Sequence, residues 1–161
     1  IPMAMSFGSP DVISKMLPWD KEKRVQMSED WAIVDENLFY IRGCLEIRVH
    51  GFEQPFSIGV WSTLSEADFD TTMELWNDPQ RVNESPYYGM LANEVPFYAD
   101  TRMLQTKVQT RAPGDRPLIV VPDKHPLGID QRDGITRDHL IEWAKMALHG
   151  NANNPYGYLC E

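Results

Sequence analysis

Residues 39–66 read FYIRGCLEIRVHGFEQPFSIGVWSTLSE. From Phe39 to His50 the chain alternates. Phe39, Ile41, Leu45, Ile47 and Val49 fall on one side, and Tyr40, Arg42, Cys44, Glu46, Arg48 and His50 on the other. Successive side chains of a strand point to opposite faces, so this pattern predicts a strand over 39–50 with one buried and one wet face. Gly51 to Pro55 is turn chemistry. Phe56, Ile58 and Val60 then alternate with Ser57, Gly59 and Trp61, which predicts a returning strand over 56–63. A half-covered antiparallel sheet is therefore expected at the centre of the fold.

Working outward, Trp31-Ala32-Ile33-Val34 predicts a strand, and Asp35-Glu36-Asn37 the turn that leads into 39–50. Downstream, Ser65 is a helix N-cap with Asp68 three residues on, and Leu64 and Phe69 flank it as a hydrophobic staple. Phe69, Met73 and Trp76 share one helical face, so a helix is predicted over 65–78 and closed by Pro79. Leu104, Thr106, Val108 and Thr110 alternate with polar residues, Ala112-Pro113-Gly114-Asp115 turns, and 117–121 returns as the second half of a hairpin. A short strand is expected around 88–91. Residues 122–135 read as a polar loop. Thr136 caps a last helix over 136–149, with Ile135 and Leu140 as a second staple and Leu140, Ala144, Ala147 and Leu148 as its packing stripe. Residues 1–30 read as irregular with short helical pieces, one beginning at Ser9-Pro10-Asp11 and ending at Pro18, the next over 19–27. No βαβ rhythm is present. The expectation is one α+β domain over 1–150, an antiparallel sheet of about five strands with helices packed on one face, followed by a tail over 151–161.

The length of 161 residues suits one domain, and 42% apolar residues suffice for a core. No apolar run is long enough to span a bilayer, and no secretory h-region is visible. A net charge of −9 repels phosphate backbones and disfavours general nucleic-acid binding. It suits a basic protein partner, or serves solubility alone. Cys44 and Cys160 are the only cysteines and lack paired spacing, so they read as two thiols outside a disulfide framework, as in a reducing cytoplasm.

Chemistry-bearing residues fall into three groups. The wet face of 39–50 carries Arg42, Cys44, Glu46, Arg48 and His50. It reads either as a binding or catalytic surface or as a charged face with Arg42–Glu46 or Glu46–Arg48 pairs. Cys44 lies about 7 Å from Glu46 and about 20 Å from His50 along a strand, so Cys44 and His50 form no pair unaided. Tyr87, Tyr88, Phe97 and Tyr98, flanked by Glu84 and Glu94, either line a recognition groove or seal the core. His125 lies in a polar loop with Asp123, Asp130 and Asp133, whose spacing matches no calcium loop; loop-fixing hydrogen bonds are the plainer reading. His139 and His149 are about 15 Å apart on the last helix and do not chelate one ion. No metal and no cofactor are expected. The chain contains no GxSxG, HExxH, P-loop or GxGxxG pattern.

Phe39-Tyr40-Ile41-Arg42-Gly43-Cys44-Leu45-Glu46-Ile47, Val49-His50-Gly51, Gly59-Val60-Trp61-Ser62 and Leu64-Ser65-Glu66 resemble a bacterial family, domain of unknown function 2199. The likeness continues in Leu75-Trp76, Pro86-Tyr87-Tyr88-Gly89, Tyr98, Asp100-Thr101, Arg111, Pro113-Gly114, Arg116-Pro117, His125-Pro126-Leu127, Gln131 and Gly134-Ile135, so that it spans roughly residues 5–148. The resemblance implies no assigned activity. Many family members carry a CxxCG-type segment ahead of the region matching Met5-Ser6-Phe7-Gly8. This chain has neither cysteine there, and zinc binding is not carried over.

The leading expectation is a non-enzymatic cytoplasmic bacterial interaction domain of the immunity or antitoxin type. It would bind a protein partner, basic for preference, and neither nucleic acid in general nor a membrane. The alternative is a small enzyme or an anion- or ligand-binding protein using the polar face around Arg42, Glu46, Arg48 and His50. Binding residues are sought among these and Glu84, Tyr87, Tyr88, Glu94 and Tyr98.

Overall fold

The computed structural model describes residues 3–149. The tail expected at 151–161, with Cys160, lies outside the described residues, as do the side chains of Leu148 and His149 and the Gly150 stop. The elements run β1 (Ala4–Ser6), α1 (Asp11–Ser14), α2 (Pro18–Arg24), β2 (Val25–Met27), β3 (Trp31–Val34), β4 (Leu38–Ile47), β5 (Phe56–Leu64), α3 (Glu66–Glu74), a 3-10 helix (Pro79–Asn83), β6 (Tyr87–Met90), β7 (Gln105–Gln109), β8 (Leu118–Val120), α4 (Pro126–Asp133) and α5 (Arg137–His149).

The central pair is as expected. β4 and β5 are antiparallel, with Ile41 opposite Ser62 and Leu45 opposite Ile58. Ser65 caps α3 by accepting from the Asp68 N–H at 3.1 Å, and Thr136 does the same for His139 at the start of α5. Ile41, Leu45, Ile47, Val60 and Phe69 are buried, while Trp76 is only half-buried.

The sheet itself is larger and differently connected than expected: eight strands, mixed in direction. β1 lies parallel to β5, with Met5 opposite Ile58. β8 lies parallel to β4 at Cys44 and Leu118, and β2 adds to β3. Three-residue strands such as β1, β2 and β8 are too short to show an alternation, which is why the pattern passed over β1 and β2. Parallel pairing here needs no βαβ unit, because β1 and β8 reach their neighbours through long stretches of chain that hold several other strands and helices. α4 replaces the loop expected at 122–135. Its start is set by His125, whose Nδ1 accepts the Leu127 N–H at 3.1 Å, with Pro126 at the first helical position.

β6 returns to β5. Leu91 pairs antiparallel with Ser62, and the Ala92 N–H donates to the Trp61 carbonyl at 2.8 Å. Strands β5, β4, β8, β7 and β6 thus curl into a partly closed ring. Its interior holds Ile41, Leu45, Val60, Leu64, Leu91, Val108 and Ile119. Inside it the hydroxyls of Ser62 and Thr106 satisfy each other at 2.6 Å.

Helices do not keep to one face. α3 packs Phe69 against Phe39, ring centroids 5.0 Å apart, on the inner side. α1 sends Ile13 to the opposite side, into a second cluster with Ala32, Val34, Tyr40 and Trp61. That outer cluster is tied down by polar bonds. The Trp61 Nε1–H donates to the Phe7 carbonyl at 2.9 Å. Asn93 accepts the Trp61 N–H at 2.8 Å and donates to the Ser9 carbonyl at 2.9 Å.

Closure of the ring requires Gly89, since a Cβ there would fall inside the Thr63 carbonyl. Gly8 has open space around it. We expect Gly89→Ala to destabilise by about 2 kcal/mol or more, as overpacking against backbone does, and Gly8→Ala to stay within about 0.5 kcal/mol. Urea unfolding midpoints of the two variants check this.

Candidate functional site

The polar face expected on 39–50 is not one wet surface. The N-terminal segment covers its first half, so Tyr40, Arg42 and Cys44 are buried, Arg42 to 8% exposure. Arg42 donates from Nη1 to the Glu29 carbonyl at 3.1 Å and from Nη2 to Ser6 Oγ at 3.2 Å. It lies 5.6 Å over the Trp61 ring. Its second half is spent elsewhere. β4 ends at Ile47, and Val49 pairs with Ile135 instead of continuing a strand. Arg48 and His50 both donate to the Asp133 carbonyl, at 3.0 and 2.9 Å, closing the C-terminus of α4. Glu46 faces Arg111 at 3.9 Å and not Arg42 or Arg48.

The aromatic group also divides. Tyr87 points inward and donates to Glu84 at 2.8 Å. Tyr88 points outward and is 62% exposed. Phe97 stacks on Trp143 at 4.8 Å, and Tyr98 meets the same ring edge-on at 5.6 Å. Tyr98 also donates to Asp130 Oδ2 at 2.6 Å. Glu94 is exposed, with its N–H donating to Asp11 Oδ2 at 2.7 Å. Tyr87, Phe97 and Tyr98 therefore seal packing, and Tyr88 alone of the four is a surface residue. His125 has the loop-fixing role, donating from Nε2 to the Ala99 carbonyl at 2.8 Å. Among the described residues no group of three or more His, Cys, Asp or Glu is placed to hold a metal ion. No helix among them is long and apolar enough to cross a membrane.

What the tertiary structure assembles instead is a pocket at the mouth of the ring. It is a cavity of about 150 Å³ between α3, the 3-10 helix, β6, β7 and the 110–117 loop. Its floor is apolar: Ile41, Leu64, Trp76 and Val108. Its rim carries four guanidinium side chains, Arg42, Arg81, Arg111 and Arg116, against two carboxylates, Asp30 and Asp115.

The arginines have different duties. Arg81 is buried and donates to four carbonyls, those of Trp76, Arg111, Ala112 and Asp115, at 2.6–2.9 Å. It thereby folds the 111–115 loop around itself. Burial lowers its pKa, and Asp115 partly offsets this. Arg111 Nε donates to the Arg116 carbonyl at 2.6 Å, which fixes the loop's exit. Arg116 Nε donates to Asp30 Oδ1 at 2.9 Å. That is its one protein hydrogen bond among the described residues, although its side chain is only 18% exposed. Burial chiefly, and the positive charge of Arg116 next, hold the Arg42 pKa down, against Asp30 and Glu29. The buried Arg42 Nε has no hydrogen-bond partner. Two guanidinium groups are thus crowded together with donor capacity left over.

The alternation in 39–50 puts Arg42 on a wet face that the structure buries; Arg81 falls in no sequence pattern, and Arg116 enters only through the family resemblance. Arg111 likewise enters only through the strand alternation and the family resemblance. The signal that was available is the Arg-x-Pro-Gly-Asp-Arg-Pro run at 111–117, a turn with an arginine at each end.

Fold and pocket together define an α+β domain built on a curled mixed sheet with a cationic, apolar-floored mouth. The chain belongs to the family described as an uncharacterized protein conserved in bacteria (DUF2199), whose model matches residues 1–135. No curated protein matches the chain, and no solved structure does.

Burial first, and the neighbouring carboxylates Glu84 and Asp130 next, raise the Tyr87 and Tyr98 phenols above their ordinary value of 10.0. A raised folded pKa gives stability that is complete below the unfolded value, about 10, and is lost as pH rises toward the folded one. We expect stability to fall as pH is raised above about 10. Tyr98→Phe should flatten that fall, as measured by urea unfolding across the alkaline range.

Proposed function

We propose that this protein is a non-enzymatic binding domain that recognises an anionic group at the mouth of the ring. The observation that carries the reading is Arg116. Its side chain is only 18% exposed and sits beside Arg42, yet its Nη groups have no protein acceptor among the described residues. Polar groups withdrawn from water are costly unless paired, and a planar guanidinium fork is matched by a carboxylate or phosphate. The pocket rim is formally positive in a chain of net charge −9, which concentrates an anion there and not on the general surface. Binding is favoured over catalysis because, among the described residues, His50 and His125 are committed to backbone carbonyls and not to a nucleophile.

A second reading, a protein-interaction domain of the immunity or antitoxin kind acting in the cytoplasm, has one observation in its favour. The outward face of β6 and β7 exposes Tyr88 and Met90, with Met103 just before β7. The outward residues Gln105 and Lys107 between them add no carboxylate, so a basic partner would find its complement elsewhere, as at Glu94.

Binding to the folded state at a hundred times Kd adds about 2.7 kcal/mol, which for a chain of this size lifts Tm by roughly 5–10 °C. We expect at least one of acetate, inorganic phosphate and benzoate to produce such a rise at low ionic strength. The rise should shrink with added salt and vanish in Arg116→Gln. A flat response to all three would reject the reading.

A further inference from the structure

Resting on that reading, we infer that the pocket takes an aromatic monocarboxylate: a single six-membered ring on the apolar floor, with its carboxylate on Arg116 and Arg111. Three observations point this way. First, size. The cavity is about 150 Å³, and a protein cavity of about that volume lined by aliphatic side chains accepts benzene. A phosphate or acetate ion would satisfy the rim and leave the floor without contacts. Second, shape and lining. Ile41, Leu64 and Val108 belong to the buried core, and Trp76 borders the same space with Arg81 over its ring at 5.8 Å. An apolar body is the complement of such walls.

Third, charge. Arg81 spends its donors on four carbonyls, and Arg42 is directed to Ser6 and Glu29. Asp30 already holds one edge of Arg116. What remains is the Nη edge of Arg116, which has no acceptor among the described residues, and the Nη side of Arg111, whose Nε is held by the Arg116 carbonyl at 2.6 Å and whose nearest carboxylate is 3.9 Å away. That is enough for one planar carboxylate accepting two parallel bonds. A dianion would face Asp30 and Asp115 in the same rim.

The test is calorimetric titration of the purified protein with benzoate, acetate, benzyl alcohol and inorganic phosphate, run alongside thermal shifts. Benzoate should bind about a hundredfold tighter than acetate, since acetate leaves the ring's contacts unmade. Benzyl alcohol, which has the ring but no charge, should also bind far more weakly. Two variants separate the halves of the site. Arg116→Lys keeps the charge and loses the fork, and should weaken benzoate at least about tenfold. Thr110→Phe places bulk at the pocket wall and leaves every arginine in the sequence, and should abolish benzoate binding. Its folding is checked by its unfolding transition, and Arg116→Lys remains informative if it fails. Phosphate or acetate binding as tightly as benzoate would overturn the ring assignment while leaving anion recognition standing. No binding of any anion would remove both. Benzoate binding unchanged in Arg116→Lys and Thr110→Phe would also overturn the assignment, by placing the ligand outside this pocket.

Discussion

β4 is ten residues long, and no single partner covers its second edge. β3 pairs with it from Leu38 to Ile41, and β8 takes over at Cys44. Between them the main chain still pairs: the Arg42 N–H donates to the Asp30 carbonyl at 2.9 Å, and the Cys44 N–H to the Pro117 carbonyl at 2.8 Å. The ends of two unrelated segments, 28–31 and 116–118, are thereby forced together beside Arg42. A buried strand edge must have its backbone groups satisfied, and that requirement brings Asp30 and Arg116 to a 2.9 Å ion pair across 86 residues of chain. Gly43 makes the junction feasible. A Cβ there would press against the Ile119 side chain and the Pro117 carbonyl, so the parallel entry of β8 depends on a residue with none.

From that junction the rest of the mouth follows. β8 enters beside β4, β7 pairs back on β8, and β6 on β7. Leu91 then meets Ser62 and shuts the ring. The loop between β7 and β8 has to turn at the rim, and it does so wrapped around the Arg81 guanidinium. Four carbonyls converging on one cation hold a loop more firmly than its own turn residues do, because charge-assisted bonds are about twice as strong as neutral ones. The result is a stiff rim on an apolar floor, which is the arrangement a small-ligand site needs.

The charge distribution repeats this division. An acidic surface surrounds a small set of inward or half-buried arginines, and those arginines are held mainly by carbonyl oxygens. Among the described residues the salt bridges of Arg24 and Arg132 are at the exposed surface and contribute little to stability. Arg42 and Arg81 give up hydration and are compensated by backbone carbonyls, a hydroxyl and an aromatic face. Arg116 has one side-chain bond among the described residues, and both it and the Arg42 Nε keep donor capacity.

By itself the sequence determined the pieces that have a period or a cap. The alternation in 39–50 and 56–63 placed the β4–β5 pair and its inward row. Ser65 and Thr136 placed two helix starts, and the Ala112–Asp115 turn placed the hairpin of β7 and β8. These are local properties, set by side-chain direction along one segment and by hydrogen bonds across three or four residues. Tertiary structure decided what covered the other face. The Tyr40, Arg42 and Cys44 row reads as wet because it alternates with a hydrophobic row, yet Ile13, Trp61 and the N-terminal segment lie over it. It also decided that β1 and β8 run parallel to their neighbours, and that Arg42, Arg81, Arg111 and Arg116 meet. Residues so far apart in sequence are brought together by strand pairing and backbone satisfaction across the whole chain, and no spacing within one segment encodes that.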